Sequence, residues 1–292
     1  MSLAPFLEGC RRRVDDRLAE LVPPPGHPPG VVTRPLHFAL TSPGKRIRPA
    51  LLFAVGGLFK AKDESLLDTA CAVEMIHASS LVFDDLPSMD AADLRRGRPT
   101  VHKQFGEAMA ILAGLDLLHR AFGVLAAEAS RRRGYPLAEM VTLLSGAIGV
   151  SGVVGGQAVD LTSEPAGVDL ATLEFIHSHK TGALFIAAAE AGGLLAGARP
   201  AERTAIVNYA KNLGLAFQIT DDLLDAVGTP ESTGKTTGLD RNKATFVSFL
   251  GIEGARRLAG ELTGFAEECL APFGDRGELL VSLARFVRDR SS

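Results

Sequence analysis

Two long apolar runs in this chain end in carboxylates, and that pairing constrains the fold more than any other feature. Val73 to Phe83 leads into Asp84-Asp85; Pro87 then bends the chain and Asp90 follows. Far downstream, Leu213 to Thr220 leads into Asp221-Asp222-Leu223-Leu224-Asp225. On a helix Asp221 and Asp225 share one face, where like charges destabilise by a few tenths of a kcal/mol. A cation facing them removes that penalty. Six carboxylates with little histidine nearby argue against zinc. Hard oxygen donors of this kind suit Mg²⁺, which takes a few carboxylates and keeps substrate phosphates among its ligands.

The remaining apolar segments also have helical period. Residues 5–22, 48–60, 65–84, 105–130, 136–150, 170–195, 201–225, 243–250 and 253–271 read as helices, several of them apolar nearly all round, as in a large bundle. Strand signals are weak. Pro23 to Gly30 reads as a stiff connector after the first helix. No linker divides the chain and no fixed-period repeat is present, so residues 1–292 are expected to form one all-α domain.

Composition excludes some classes. A formal charge of −3 gives no electrostatic case for nucleic acid. Cys10, Cys71 and Cys269 lie far apart with no CxxC, which points to reduced thiols in a cytoplasm. The N-terminus carries no signal-peptide pattern. Ala183 to Ala198, interrupted by Glu190, is short for a membrane span. No integral membrane segment is expected.

Three stretches read as loops rich in charge: Thr41 to Pro49 with Lys45, Arg46 and Arg48; Pro87 to Pro99 with Arg95, Arg96 and Arg98; and Gly228 to Lys243 with Lys235. Together with Lys180 these cations are too many to offset the carboxylates alone, and Arg and Lys are the residues that clamp phosphates. Mg²⁺ ligands beside phosphate clamps imply diphosphate substrates. His77, seven residues before Asp84, lies on nearly the same helix face. Gly228 to Thr236 has the wrong glycine spacing for a P-loop and follows a helical pattern. His177 and His179, two apart, face away from each other and read as a surface and a packing histidine. Gly152, Gly155 and Gly156 fit a bend or close helix packing.

In this order the motifs resemble the trans-prenyl diphosphate synthases. The matching stretches are Gly44-Lys45-Arg46-Ile47-Arg48-Pro49, His77, Asp84 to Asp90, Leu94 to Thr100, Gly155-Gly156-Gln157, His179-Lys180-Thr181-Gly182, Phe217 to Asp225, and Gly234-Lys235-Thr236. The resemblance implies an all-α isoprenoid synthase bundle with a central apolar cavity, usually a homodimer. It implies Asp84, Asp90 and Asp221 as metal ligands for Mg²⁺, about three ions with substrate bound, with Mn²⁺ able to substitute. Asp85, Asp222 and Asp225 would complete the catalytic carboxylates. Arg95, Lys180 and Lys235 would contact the allylic diphosphate; Lys45, Arg48, His77 and Arg96 would hold isopentenyl diphosphate. Thr181 and Gln218 would lie near the reacting carbons.

Two departures bear on the product. Many family members have Asp where Leu115 stands; here Asp116 is shifted by one, a rotation of about 100° on a helix, and should not replace it. Asp240 and Lys243 are also closer together than in most members, which makes Lys243 a doubtful ligand. Both departures, with Val101-His102 and Ala121 to Val124, resemble the geranylgeranyl diphosphate synthases of bacterial carotenoid pathways. Members that stop at C15 typically carry an aromatic one turn before the first aspartate. Ser79 and Ser80 are small, so growth is expected to pass C15 and stop mainly at C20, with Met75 or Ile76 as a floor. The alternatives are a farnesyl (C15) diphosphate synthase, a class I terpene cyclase, which would not need the Lys45/Arg48/His77 set, and a non-catalytic partner subunit, which would tend to have lost an aspartate cluster.

Overall fold

The computed structural model describes residues 2–163, 167–227 and 244–290. The stretch with Lys235, Asp240 and Lys243 lies outside the described residues. Two helices form the middle of the bundle. One is α4 (Leu67–Asp84), on which Thr69 to Ser79 are buried without a break. The other is α10 (Ala183–Leu195), whose Ala187, Ala188, Ala189 and Ala191 are wholly enclosed. Small side chains let neighbours pack tightly round α10, and α3 (Ile47–Leu58) does so on one side.

Around this pair lie α1 (Leu3–Leu21), α2 (Gly30–Leu40), α6 (Glu107–Arg131) and α7 (Leu137–Ile148). They share one core with α3, α4 and α10, including Val14, Leu36, Phe53, Met75, Leu117 and Met140. A second core joins α3 and α10 to α11 (Pro200–Val227) and α13 (Glu278–Asp289) through Leu51, Phe185, Tyr209 and Leu283. A third packs α9 (Leu170–His177) and α12 (Phe246–Cys269) on α11. The short α5 (Val101–Phe105) follows a two-residue hairpin, β1 (Leu94–Arg95) with β2 (Arg98–Pro99).

Charged groups inside the bundle are paired, as burial demands. Asp68 on α4 accepts a two-pronged contact from Arg17 of α1 (2.7 and 3.1 Å) and a further one from Arg131 of α6. The start of α12 is fixed by a reciprocal cap in which Ser248 N donates to Thr245 Oγ1 and Thr245 N to Ser248 Oγ, satisfying two helix-end donors.

Several expectations need correction. Helix α2, between the connector read over 23–30 and the loop read over 41–49, was not among the expected helices; it is short, and Pro35 lies within it. Arg48, read both as the end of a charged loop and as the start of the helix over 48–60, sits in the first turn of α3, where Pro49 is tolerated because first-turn N–H groups have no helical partner. Helix α8 (Val153–Thr162) was not among the expected helices; the bend read at Gly152 is present, and Gly156 inside the helix serves the close packing also read for these glycines. Helix α13 carried a clear amphipathic pattern and was missed. The two helices expected over 243–250 and 253–271 do meet at a break: Gly251, with a non-helical φ of 67°, divides α12 there.

By length and composition Glu107–Arg131 and Leu137–Thr162 are apolar enough to cross a membrane. On α6, Ala110, Ala113, Leu117, Ala121 and Leu125 fill the core, so one face of that apolarity serves packing.

Tyr209 on α11 is fully buried and its hydroxyl donates to Leu280 O of α13 at 2.8 Å. Tyr209→Phe deletes that bond without opening a large cavity. Chemical denaturation is expected to show a loss of about 1 kcal/mol.

Candidate active site

The first acidic cluster forms where α4 ends. Asp84 is its last residue, and the chain then folds back so that Asp90 N donates to Asp84 O at 2.9 Å. That turn sets Asp90 beside Asp84, and one ammonium reads both: Lys180 Nζ lies 3.2 Å from Asp84 Oδ1 and 3.7 Å from Asp90 Oδ2. Burial works against the charge on Lys180, but Asp84, Asp160 and Asp90 together hold its ammonium above the usual range.

Asp85 points the other way. It is buried and accepts from Arg95 Nε at 2.8 and 3.0 Å. Burial pushes its carboxyl up, against the pull of Arg95. Arg95 also reaches within 3.7 Å of Asp84 Oδ2, so the hairpin arginine braces both carboxylates.

Lys180 and Thr181 stand on a single π turn, Ser178–Gly182, between α9 and α10. Such turns are frequent at functional sites, where one extra residue redirects side chains. Gly156 on α8 allows it: a Cβ there would lie 2.3 Å from Lys180 N. From the same turn Thr181 Oγ1 donates to Gln218 Oε1 at 3.1 Å, and Gln218 Nε2 donates to Asp222 Oδ1 at 3.0 Å. Phe246 N donates to Asp222 Oδ2 at 2.9 Å. The π turn thus links the first cluster to the second. Asp222, expected among the catalytic carboxylates, is buried and turned toward the start of α12. Asp221 and Asp225 share a face of α11, both half-buried. Asp221 is paired with Arg290 at 2.7 Å.

The basic residues gather around His77, about two turns back along α4 from Asp84. Arg48 Nη1 lies 3.0 Å from His77 Nε2. A guanidinium can only donate, so Nε2 accepts and the ring is neutral. Burial, then the charges of Arg48 and Arg96, push His77 well below its ordinary value. Burial lowers Arg48 to about 10, which leaves it cationic at neutral pH. Arg96, in the left-handed region with φ of 53°, bonds Pro43 O at 2.6 Å, and burial lowers it too. Lys45 lies 6.0 Å from the Phe286 ring centroid.

Ser79 is buried and donates to Gly114 O of α6 at 2.8 Å; Ser80 donates to His77 O at 2.8 Å. Met75 and Ile76 are enclosed. Asp116 pairs with Arg120 along α6 (2.8 Å), and Leu115 is 45% exposed, so neither faces the site. His179 stacks on Phe175 and His177 packs near Phe246, as expected of non-ligands.

Two residues escaped the sequence reading. Asp160 of α8 accepts from Lys180 at 2.8 Å; its signal was a carboxylate on an otherwise apolar helix, three residues past Gln157. Arg290 donates to Phe217 O at 2.6 Å, with its guanidinium 3.8 Å from that ring; nothing set it apart from other charged residues nearby.

Mg²⁺ fits the carboxylates present. Among the described residues no three His, Cys, Asp or Glu side chains converge on one point, as for an ion that completes its shell with substrate phosphates and water. Asp84 Oδ1 is buried and, although the Lys180 ammonium lies 3.2 Å away, accepts no aligned hydrogen bond, which leaves acceptor capacity for a cation.

The sequence model of the polyprenyl synthetase family matches residues 29–268. The chain belongs to the polyprenyl synthetase family. It is 40% identical to the geranylgeranyl diphosphate synthase of Cyanophora paradoxa, over 100% of this chain and 97% of that one. Its fold superposes on an FPP/GFPP synthase from Zymomonas mobilis with a TM-score of 0.88, 38% identity and 98% of each chain covered. A geranyltransferase from Helicobacter pylori, complexed with magnesium and isoprenyl diphosphate, gives 0.85 at 29% identity, covering 98% of this chain and 96% of that one. This polyprenyl synthetase is therefore a prenyltransferase that elongates prenyl chains, of the all-α, Mg²⁺-dependent kind.

Because folding depresses His77, the unfolded chain binds a proton below about pH 6.5 that the folded one refuses. Stability contributed by this group is complete above that value and declines as pH falls through it. Imidazole NMR is expected to show His77 neutral from pH 8 down to 6.5.

Proposed function

We propose that the enzyme condenses isopentenyl diphosphate head-to-tail with an allylic diphosphate and releases mainly the C20 product, geranylgeranyl diphosphate. One observation carries this reading: two differently charged sets of side chains stand about two turns apart along α4. In one, Asp84 and Asp90 share Lys180; in the other, Arg48, His77, Arg96 and Lys45 form a set in which positive charge prevails. The first suits a diphosphate that arrives with Mg²⁺, the second a diphosphate held by cations alone. A terpene cyclase has no use for the second.

When bound, Mg²⁺ would offset charge on the departing diphosphate, with Asp84, Asp90 and, once freed from Arg290, Asp221 as its protein ligands. Lys180 and Arg95 stabilise the same leaving group. The allylic C1–O bond breaks with its electron pair going to diphosphate. The double bond of isopentenyl diphosphate, held by Arg48, His77, Arg96 and Lys45, then supplies the pair for the new C–C bond. A proton leaves its C2 for the released diphosphate and the double bond re-forms. Thr181 and Gln218 supply fixed dipoles at the turn between the sites. The apolar walls keep water from the cation.

Small side chains at Ser79 and Ser80 support the C20 product. The C15 alternative has support in the FPP/GFPP name of the Zymomonas mobilis protein and in the bond from Ser79 to Gly114, which puts this serine in the α4–α6 seam. Farnesyl diphosphate with labelled isopentenyl diphosphate and Mg²⁺ is expected to yield labelled C20; no C20 product would sink the reading. Ser79→Phe should move output toward C15, and Asp84→Ala should abolish turnover.

The three free thiols favour a cytoplasmic setting, and a carotenoid pathway is the expected consumer of the product. A homodimer is also part of this reading. Ile111, Leu112 and Leu115 form an exposed apolar stripe on α6, and Val150 and Val154 stand out around α8; such stripes mark interaction surfaces. Light scattering is expected to give twice the mass of one chain, and Leu112→Glu with Leu115→Glu to halve it.

A further inference from the structure

Arg46 lies between Lys45 and Arg48 but does not join them. Its φ of 49° and ψ of 41° place it in the left-handed region, a costly conformation for a residue with a side chain. It is held there from three directions. Nη1 donates to Glu74 Oε1 at 2.7 Å, Nε donates to Asp15 Oδ1 at 2.7 Å, and Nη2 donates to Leu40 O at 2.6 Å. The side chains of Arg46 and Glu74 are each 4% exposed.

Three features show that these contacts position the segment before α3. A cavity of about 410 Å³ lies against it, walled by Leu18, Leu40, Ser42 and Arg46 among others, so side-chain packing does not fix it on that side. Glu74 stands one helical turn before His77 on α4, and its charge also acts on Arg48 and Arg96. Gly44 lets Arg96 cross close to the backbone; a Cβ there would lie 2.4 Å from Arg96 Nη1.

We propose that the buried Arg46–Glu74 ion pair is a positioning device, which fixes the turn into α3 so that Lys45, Arg48 and Arg96 converge beside His77 on one diphosphate. Neither partner touches substrate. This inference rests on the reading of that basic set as the isopentenyl diphosphate site.

The test is steady-state kinetics of the full chain with farnesyl diphosphate and isopentenyl diphosphate, with thermal melting alongside. Wild-type enzyme that fails to saturate with isopentenyl diphosphate would defeat the functional reading itself. Given saturation, Glu74→Gln is expected to raise KM for isopentenyl diphosphate about ten- to a hundredfold, the scale of an ångström's misplacement. KM for farnesyl diphosphate and kcat should stay within about twofold. The double variant Arg46→Met/Glu74→Leu separates positioning from stability, since an apolar pair can replace a buried ion pair in the folded state. It should melt near wild type yet keep the raised KM. A normal KM for isopentenyl diphosphate in either variant overturns the proposal, as does an equal rise in both KM values.

Discussion

The cost of keeping charge inside a helical bundle governs this structure. A carboxylate or guanidinium taken out of water is tolerated only when paired and hydrogen-bonded. The middle of α4 is enclosed on every side, yet it carries Asp68, Glu74 and His77. Each has a defined partner: Arg17 and Arg131, Arg46, and Arg48. Those pairs tie α1, α3 and α6 to α4, so satisfying the buried charges also fixes the scaffold. The site at the end of α4 inherits its rigidity from them.

The same constraint explains how charge is distributed across the cleft. On the carboxylate side, Lys180 serves Asp84, Asp90 and Asp160 at once. On the cationic side, Arg48, Arg96 and Lys45 are all lowered by burial. Groups whose charge is penalised by burial gain most from an incoming anion, because the ligand supplies the counter-charge that water no longer does. Apolar walls and a charged site are therefore one design: walls that exclude water from an allyl cation also strengthen the grip on the diphosphates.

Much of this was legible before any coordinates. Long runs of helical period located the longest helices, while α2, α5, α8 and α13 went unassigned, and paired carboxylates after apolar runs located both acidic clusters. The failures have local causes. Helix α2 follows a proline-rich stretch and contains Pro35, so punctuation outweighed its pattern. Helix α8 itself was missed because glycine disfavours helices, although the close packing read for its glycines is present at Gly156, where the π turn presses against it. Arg290 and Asp160 were invisible as site residues, as was Glu74 as the partner of Arg46. Each is an ordinary charged residue whose meaning lies in a partner far away in the chain.

Sequence by itself determined the chemistry: hard oxygen donors in two clusters, cations enough for two diphosphates, and apolar helices long enough to enclose them. Composition, period and spacing are local properties, and these conclusions need nothing more. Tertiary structure alone decided which charged group faces which. It turned Asp222 toward α12, paired Asp221 with Arg290, brought Lys180 to Asp84 through a π turn, and set Arg46 against Glu74. Those assignments depend on how desolvation and pairing balance once helices distant in sequence are packed together, and no single stretch of the chain contains that balance.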